Sequence, residues 1–147
     1  MSSKKPVWTV LSMIEWATGY FQEKNIPDAR QSIEWLLAET LETKRLNLYL
    51  QFDRPLSGEE LNELRSLVKR RASGEPLQYI IGHTDFMRAK ISVKPGVLIP
   101  RIETEQLVDL LLTRESGRAG EPLNVLDLGT GSGCIPIALK LENPDWL

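Results

Sequence analysis

A single cysteine, Cys134, and a single histidine, His83, occur in this chain of 147 residues. One cysteine excludes an internal disulfide and suits a reducing compartment. His83 follows Gly82 in an expected loop and has no metal-ligand partner at useful spacing, so neither catalysis nor a metal site is assigned to it. No apolar run approaches the roughly 18 residues of a membrane span. The opening Met-Ser-Ser-Lys-Lys-Pro has no apolar signal-peptide core behind it, and the expected location is the cytoplasm. Net charge is also small, −2, which gives no long-range pull toward nucleic acid or anionic membrane. Residues 1–74 carry 11 basic and 10 acidic side chains and the remainder 7 and 10, so neither half is strongly charged. Internal repeats and low-complexity segments are absent. What is present, 41% hydrophobic and 26% charged residues, is the composition of a globular protein long enough for one ordinary domain or two small ones.

The first half reads as all-helical. Thr9 caps a helix whose apolar positions Val10, Met13, Ile14, Ala17, Tyr20 and Phe21 recur at three and four. Asn25-Ile26-Pro27-Asp28 breaks it, and Asp28 starts a second helix with Ala29, Ile33, Leu36, Leu37 and Leu41 on one face. A short third helix is expected over Lys44 to Leu50, then a loop at Phe52-Asp53-Arg54-Pro55. Ser57 with Glu60 forms a capping box, followed by a helix that turns Leu61, Leu64, Leu67 and Val68 inward. Each helix has one apolar stripe, so they are expected to pack as a small bundle. Trp8, Trp16 and Trp35 fall in or beside these stripes, as core or bundle surface.

Ala72-Ser73-Gly74-Glu75-Pro76 punctuates the chain, and beyond it the period changes. Leu77 to Ile81 reads as one or two helical turns. Thr84–Met87 and Lys90–Val93 read as two strands around Arg88-Ala89. Pro95-Gly96 turns the chain, and Pro100 holds Ile99 out of the helical region. A helix is expected from about Glu103, burying Leu107, Val108, Leu111 and Leu112, and then a polar loop from Arg114 to Glu121.

Residues 124–134 then read Asn-Val-Leu-Asp-Leu-Gly-Thr-Gly-Ser-Gly-Cys. An apolar strand, Val125-Leu126, meets Asp127; glycines follow at 129, 131 and 133, and a helix is expected over Ile135 to Leu141. Strand, glycine turn and helix bring backbone close to a nucleotide-like cofactor. The spacing is G-x-G-x-G rather than the dinucleotide G-x-G-x-x-G, which suits a ligand without phosphate such as S-adenosylmethionine. Asp127 would meet its ammonium, directly or through water, and the N–H groups of Gly129, Thr130, Gly131, Ser132 and Gly133 its carboxylate. The plainer reading is that the glycines only close a tight strand–helix turn. The strand has no in-sheet neighbours in this chain.

Other clusters admit two readings each. Pro100, Arg101, Glu103, Thr104 and Glu105 make a well-capped helix start, with Arg101 paired to either acid, or else line a cofactor cleft. Arg65, Lys69, Arg70 and Arg71 form a basic stripe that suits the end of its helix as a solvated face; contact with RNA or an acidic partner is the sharper alternative. Cys134 is a small packing residue, or a thiol activated by a helix N-terminus.

The segments Gly74-Glu75-Pro76-Leu77-Gln78-Tyr79-Ile80-Ile81-Gly82, the strand at Phe86, Leu98-Ile99-Pro100-Arg101-Ile102-Glu103-Thr104-Glu105 and Leu126-Asp127-Leu128-Gly129-Thr130-Gly131-Ser132-Gly133 occur in an order that resembles the protein-(glutamine-N5) methyltransferases of the HemK/PrmC family. The resemblance is strong from Gly74 onward and compositional before it. It implies an α/β protein with an N-terminal all-α helical bundle for substrate recognition (1–73), a β-hairpin linker (74–100) and the start of a Rossmann-like class I methyltransferase domain (101–147). It implies methyl transfer from S-adenosylmethionine to the glutamine of the Gly-Gly-Gln loop of a peptide chain release factor. By the same resemblance, Asp127 and Gly129–Gly133 match the cofactor loop, and Pro100–Glu105 a segment near the active site.

The family's Asn-Pro-Pro-Tyr motif has no counterpart here, since the one Asn-Pro, Asn143-Pro144, is followed by Asp145-Trp146. In the family an Asn side chain and a backbone carbonyl hold the amide nitrogen, a poor nucleophile, in line with the sulfonium methyl. No catalytic residue is therefore assigned within these 147 residues, and little activity is expected of them alone. Three rival readings remain: a class I methyltransferase for a ribosomal-protein glutamine or a nucleobase, a non-catalytic release-factor-binding module, and a nicotinamide-binding domain.

Overall fold

The computed structural model describes residues 7–115 and 122–146. The chain divides into two compact units between Ile81 and Gly82. The first is helical: α1 (Val10–Glu23), α2 (Ala29–Thr40), a 3-10 helix (Arg45–Leu50), α3 (Gly58–Ala72) and α4 (Leu77–Ile81). The second holds a hairpin, β1 (His83–Phe86) and β2 (Ala89–Ser92), then α5 (Ile102–Glu115) and α6 (Cys134–Glu142).

In the helical unit the 3.6-residue stripes close on one core, in which Phe21, Ile14, Ile33, Leu36, Leu37, Leu48 and Leu64 are fully buried. Both expected N-terminal caps form. Thr9 Oγ1 accepts from Ser12 N, and Thr9 N in turn donates to Ser12 Oγ at 2.8 Å. Ser57 and Glu60 make the same reciprocal pair. The first N–H groups of α1, which no helical carbonyl can reach, find the loop ahead of α3. Val10 N donates to Arg54 O and Leu11 N to Phe52 O, while Leu56 N donates to Trp8 O.

Three helix ends share one construction. After α1, Asn25 N donates to Gln22 O and Ile26 N to Phe21 O; after α2, Glu42 N to Glu39 O and Thr43 N to Ala38 O; after α3, Gly74 N to Arg71 O and Glu75 N to Arg70 O. Each is the paired 5→2 and 6→1 bonding of a Schellman motif, which needs a left-handed residue just past the cap. Asn25, Glu42 and Gly74 supply it, at φ 56°, 48° and 93°.

Asp28 starts α2 from the N-cap as expected, at φ 52° and with no capping bond from its side chain. Several expectations are corrected. The third helix is a 3-10 helix beginning at Arg45. The hairpin turns at Met87-Arg88 rather than Arg88-Ala89, with Phe86 paired to Ala89 and His83 to Ser92. That register puts Phe86, Ala89 and Ile91 on the buried face, and the Glu105 carboxylate draws in Met87 N at 2.6 Å. α5 buries only Val108; Leu107 is exposed and Leu111 and Leu112 half-buried, because little is packed against that stripe. The loop expected over 114–121 begins later, since Arg114 and Glu115 are helical, and its residues 116–121 lie outside the described residues. Val125-Leu126 is not a strand, for a strand without neighbours has no backbone partners.

The basic stripe is also corrected. Arg71 turns inward and is buried, with Nε donating to Ser32 Oγ at 3.0 Å, Nη1 to Glu75 O at 3.0 Å and Nη2 to Pro27 O at 3.2 Å. Arg70 is locked in a two-bond pair with the Glu75 carboxylate at 2.6 and 2.8 Å. Arg65, Lys69 and Arg70 remain on the exposed face, Arg70 with its charge paired.

Candidate functional site

The glycine motif forms a turn in front of α6. Gly129, Gly131 and Gly133 have φ of 76°, 58° and 75°, the left-handed region where an L side chain is strained. Gly133 N donates to Thr130 O at 2.9 Å, and Gly133 is the N-cap of α6 with no side chain closing the cap. The first turn of α6 therefore presents backbone N–H groups that no capping side chain takes, at the positive end of the helix dipole. A Cβ on Gly133 would lie 3.6 Å from Ile137 Cδ1, ordinary contact, so backbone conformation rather than space calls for glycine there.

Asp127 sits ahead of the first glycine. Its Oδ2 is shielded from solvent and has no hydrogen-bond partner. A carboxylate oxygen withdrawn from water and left unbonded costs free energy unless something positive or hydrogen-bearing meets it. Its neighbours Leu126 and Leu128 are exposed by more than four-fifths. Cys134, the first residue of α6, is buried, in keeping with a packing role.

The second expected cluster is less concentrated. Arg101 O accepts from Thr104 N at 3.0 Å, so the residue opens α5, but its guanidinium pairs with neither Glu103 nor Glu105. Arg101 and Glu103 are exposed, while Pro100 and Thr104 are half-buried. Glu105 is committed to the hairpin through Met87 N. His83 opens β1. Among the described residues no cluster of His, Cys, Asp or Glu could hold a metal ion, and no helix is long and apolar enough to cross a membrane.

Two polar residues that pattern reading missed lie in the helical unit. Glu34 is buried on α2 and accepts from Arg30 Nε at 2.9 Å and the Tyr49 hydroxyl at 2.8 Å, with Arg45 at 3.5 Å. Arg71 is the other. Only the Arg30–Glu34 spacing of four was visible locally; Tyr49 and Ser32 lie 15 and 39 residues away from their partners.

The elements and their order define the class: a helical N-terminal region, an antiparallel hairpin, and a glycine turn opening a helix. Comparison with known proteins agrees. Residues 12–82 match the PrmC N-terminal domain. The chain is 45% identical over 144 residues to a release factor glutamine methyltransferase of Geobacter sulfurreducens, covering 98% of this chain and 49% of that protein. A protein of the same name from Leptospira interrogans is 41% identical, over 94% of this chain and 48% of its own length. The human MTRF1L release factor glutamine methyltransferase is 35% identical, over 92% and 42%. Residues 12–82 thus carry the PrmC N-terminal domain, and the chain corresponds to the N-terminal half of these relatives; it spans about half the length of the curated relatives it matches.

Proposed function

We propose that the whole protein is an S-adenosylmethionine-dependent methyltransferase that modifies N5 of the glutamine in the Gly-Gly-Gln loop of a peptide chain release factor. The observation that carries this reading is the likeness to release factor glutamine methyltransferases along 98% of the chain. In this reading residues 1–73 recognise the substrate protein, 74–100 link, and 101–147 begin the methyltransferase domain.

The glycine-loop residues fit the implied cofactor. The unbonded Asp127 Oδ2 suits an ammonium group, and the uncapped N–H groups of α6 suit a carboxylate. S-adenosylmethionine, when bound, supplies an electrophilic sulfonium methyl. The chain's own part is to hold and orient: Asp127 takes a positive group out of water, and the left-handed conformations at Gly129, Gly131 and Gly133 keep side chains off the ligand. Pro100, Arg101, Glu103 and Thr104 are assigned to the rim of the same cleft, and Glu105 to fixing the hairpin behind it. The residues that position the glutamine amide are assigned to the half that the relatives carry beyond the matched length.

The test is mass spectrometry of a release factor incubated with the full-length protein and S-adenosylmethionine. A 14 Da gain on the Gly-Gly-Gln peptide is expected, and its absence from an enzyme that methylates another protein or a nucleobase would replace the substrate. Calorimetry on the same protein with S-adenosylmethionine and NAD tests the cofactor. Asp127→Ala should weaken S-adenosylmethionine binding by about a hundredfold, from the loss of one charge-assisted contact; preferential binding of NAD would overturn the assignment.

A further inference from the structure

Arg71 is a cation that the fold buries without pairing it to an acid. A guanidinium stays charged in proteins and is rarely buried unless paired. Its three acceptors, Ser32 Oγ, Pro27 O and Glu75 O, are all neutral. The Glu75 carboxylate is taken by Arg70. Three of the five guanidinium N–H donors are thus used, and two have no acceptor among the described residues. Burial pulls the Arg71 pKa down, opposed by the field of Asp28, which lies outside hydrogen-bond reach.

Arg71 lines a cleft of ≈ 330 Å³ in the helical unit, together with Asp28, Gln31, Ser32, Trp35 and Gln78. The cleft lies at the N-terminus of α2, where Asp28 makes no side-chain capping bond, so first-turn N–H groups add to the positive field. A buried cation with spare donors, an uncapped helix start and a half-open polar cleft occur together in one place.

We propose that this cleft binds a carboxylate, presented by an aspartate or glutamate side chain of a polypeptide partner. A planar monoanion matches the guanidinium fork and supplies the charge that the fold withholds. A dianionic phosphate would meet about twice the repulsion from Asp28 in the same cleft that a monoanion meets. Trp35 gives a face for the methylenes of an acidic side chain, and the Gln31 and Gln78 amides offer a donor and an acceptor to the peptide on either side. Identifying the partner with the methyl-accepting protein rests on the function proposed above; the carboxylate site itself does not.

Nitrogen-15 NMR of this chain tests the site without any methyl transfer. Sodium acetate, inorganic phosphate and a glutamate-bearing peptide are titrated at constant ionic strength, with sodium chloride and the glutamine-bearing peptide as controls. Saturable shifts of Arg71 Nε–H and of the Gln31 and Gln78 side-chain amides are expected with acetate and with the glutamate peptide only. Gln31→Glu, at an exposed helix position, keeps the fold and should weaken the acetate response at least about tenfold through like charge. The proposal is overturned by no saturable acetate shift, by a stronger phosphate response, by equal shifts from the two peptides, or by an unchanged affinity in Gln31→Glu. Loss of release-factor methylation in the full-length protein, with these shifts intact, would instead count against the function proposed above.

Discussion

Glu34 shows how a single residue ties distant parts of the helical unit together. Its carboxylate is buried, yet each of its partners comes from the surface: Arg30 is about half exposed and Arg45 about one-third. The ion pairs are therefore screened, and the shortest bond, from the Tyr49 hydroxyl at 2.8 Å, is the more informative one. That bond anchors the 3-10 helix to α2. Tyr49→Phe removes one donor to a charged acceptor and should cost about 1–2 kcal/mol in urea unfolding, whereas Glu34→Ala, which strands three donors, should cost more. Equal stability of Tyr49→Phe and the parent would mean that the hydroxyl bond carries no net weight. Neither Glu34 nor Arg71 was legible in the sequence. Their partners come together only when the helices pack, and no local period marks a buried charge.

Elements were read best where the signal is local. The Thr9 cap, the Ser57–Glu60 capping box, the helical stripes, the Pro95-Gly96 turn and the hairpin depend on neighbours a few residues apart. In the turn, Val97 N donates to Lys94 O, and Gly96 takes the φ of 93° that a side chain resists. The hairpin missed by one residue because Ala89 carries little strand preference, while the tertiary bond from Met87 to Glu105 sets the turn. The repeated helix ends expose one mismatch. Glu42 holds a left-handed position that Asn25 and Gly74 fill at lower cost, and it is exposed. Glu42→Gly should raise stability by about 0.5–1 kcal/mol, the relief of left-handed strain less the added unfolded-state entropy. A lower urea midpoint would show that the Glu42 side chain contributes more than its backbone strain.

Two surface pairs give the same elements a pH dependence. Arg54 beside Glu60, and Arg70 beside Glu75, hold those carboxyls below the usual range through direct hydrogen bonds. A depressed folded pKa contributes stability above the unfolded value, about 4.3, and that contribution fades as pH falls through the folded values. Stability should therefore drop on acidification below about pH 5, modestly because both pairs are partly exposed. Glu60→Gln keeps the capping geometry and Glu75→Gln keeps the size. The double variant should flatten the acid limb of the urea midpoint against pH, and an unchanged limb would assign the acid sensitivity elsewhere.

At the scale of the whole molecule the two units differ in how much apolar surface they close. The helical unit buries its stripes. In the second unit Leu107, Leu110, Leu126 and Leu128 are all more than half exposed, although Leu107 reads as a buried helix position and Leu126 as part of an apolar strand. The sequence was informative there about identity and misleading about local structure, because a strand is a relation between segments rather than a property of one. The backbone carries the same mark. Among the described residues, 122–127 lie in no helix, strand or turn, and the turns that follow lead to Gly133, whose N–H donates to Thr130 O. Hydrogen exchange should therefore be slowest in the core of α1, α2 and α3 and close to unprotected from 122 to 132. In a protein of the relatives' full length, the proposed methyltransferase domain supplies neighbours to Val125 and Leu126, and their amides should slow by orders of magnitude. Exchange that stays fast in the longer protein would mean that this segment is no strand there either, and the glycine turn would lose the support on which its cofactor role depends.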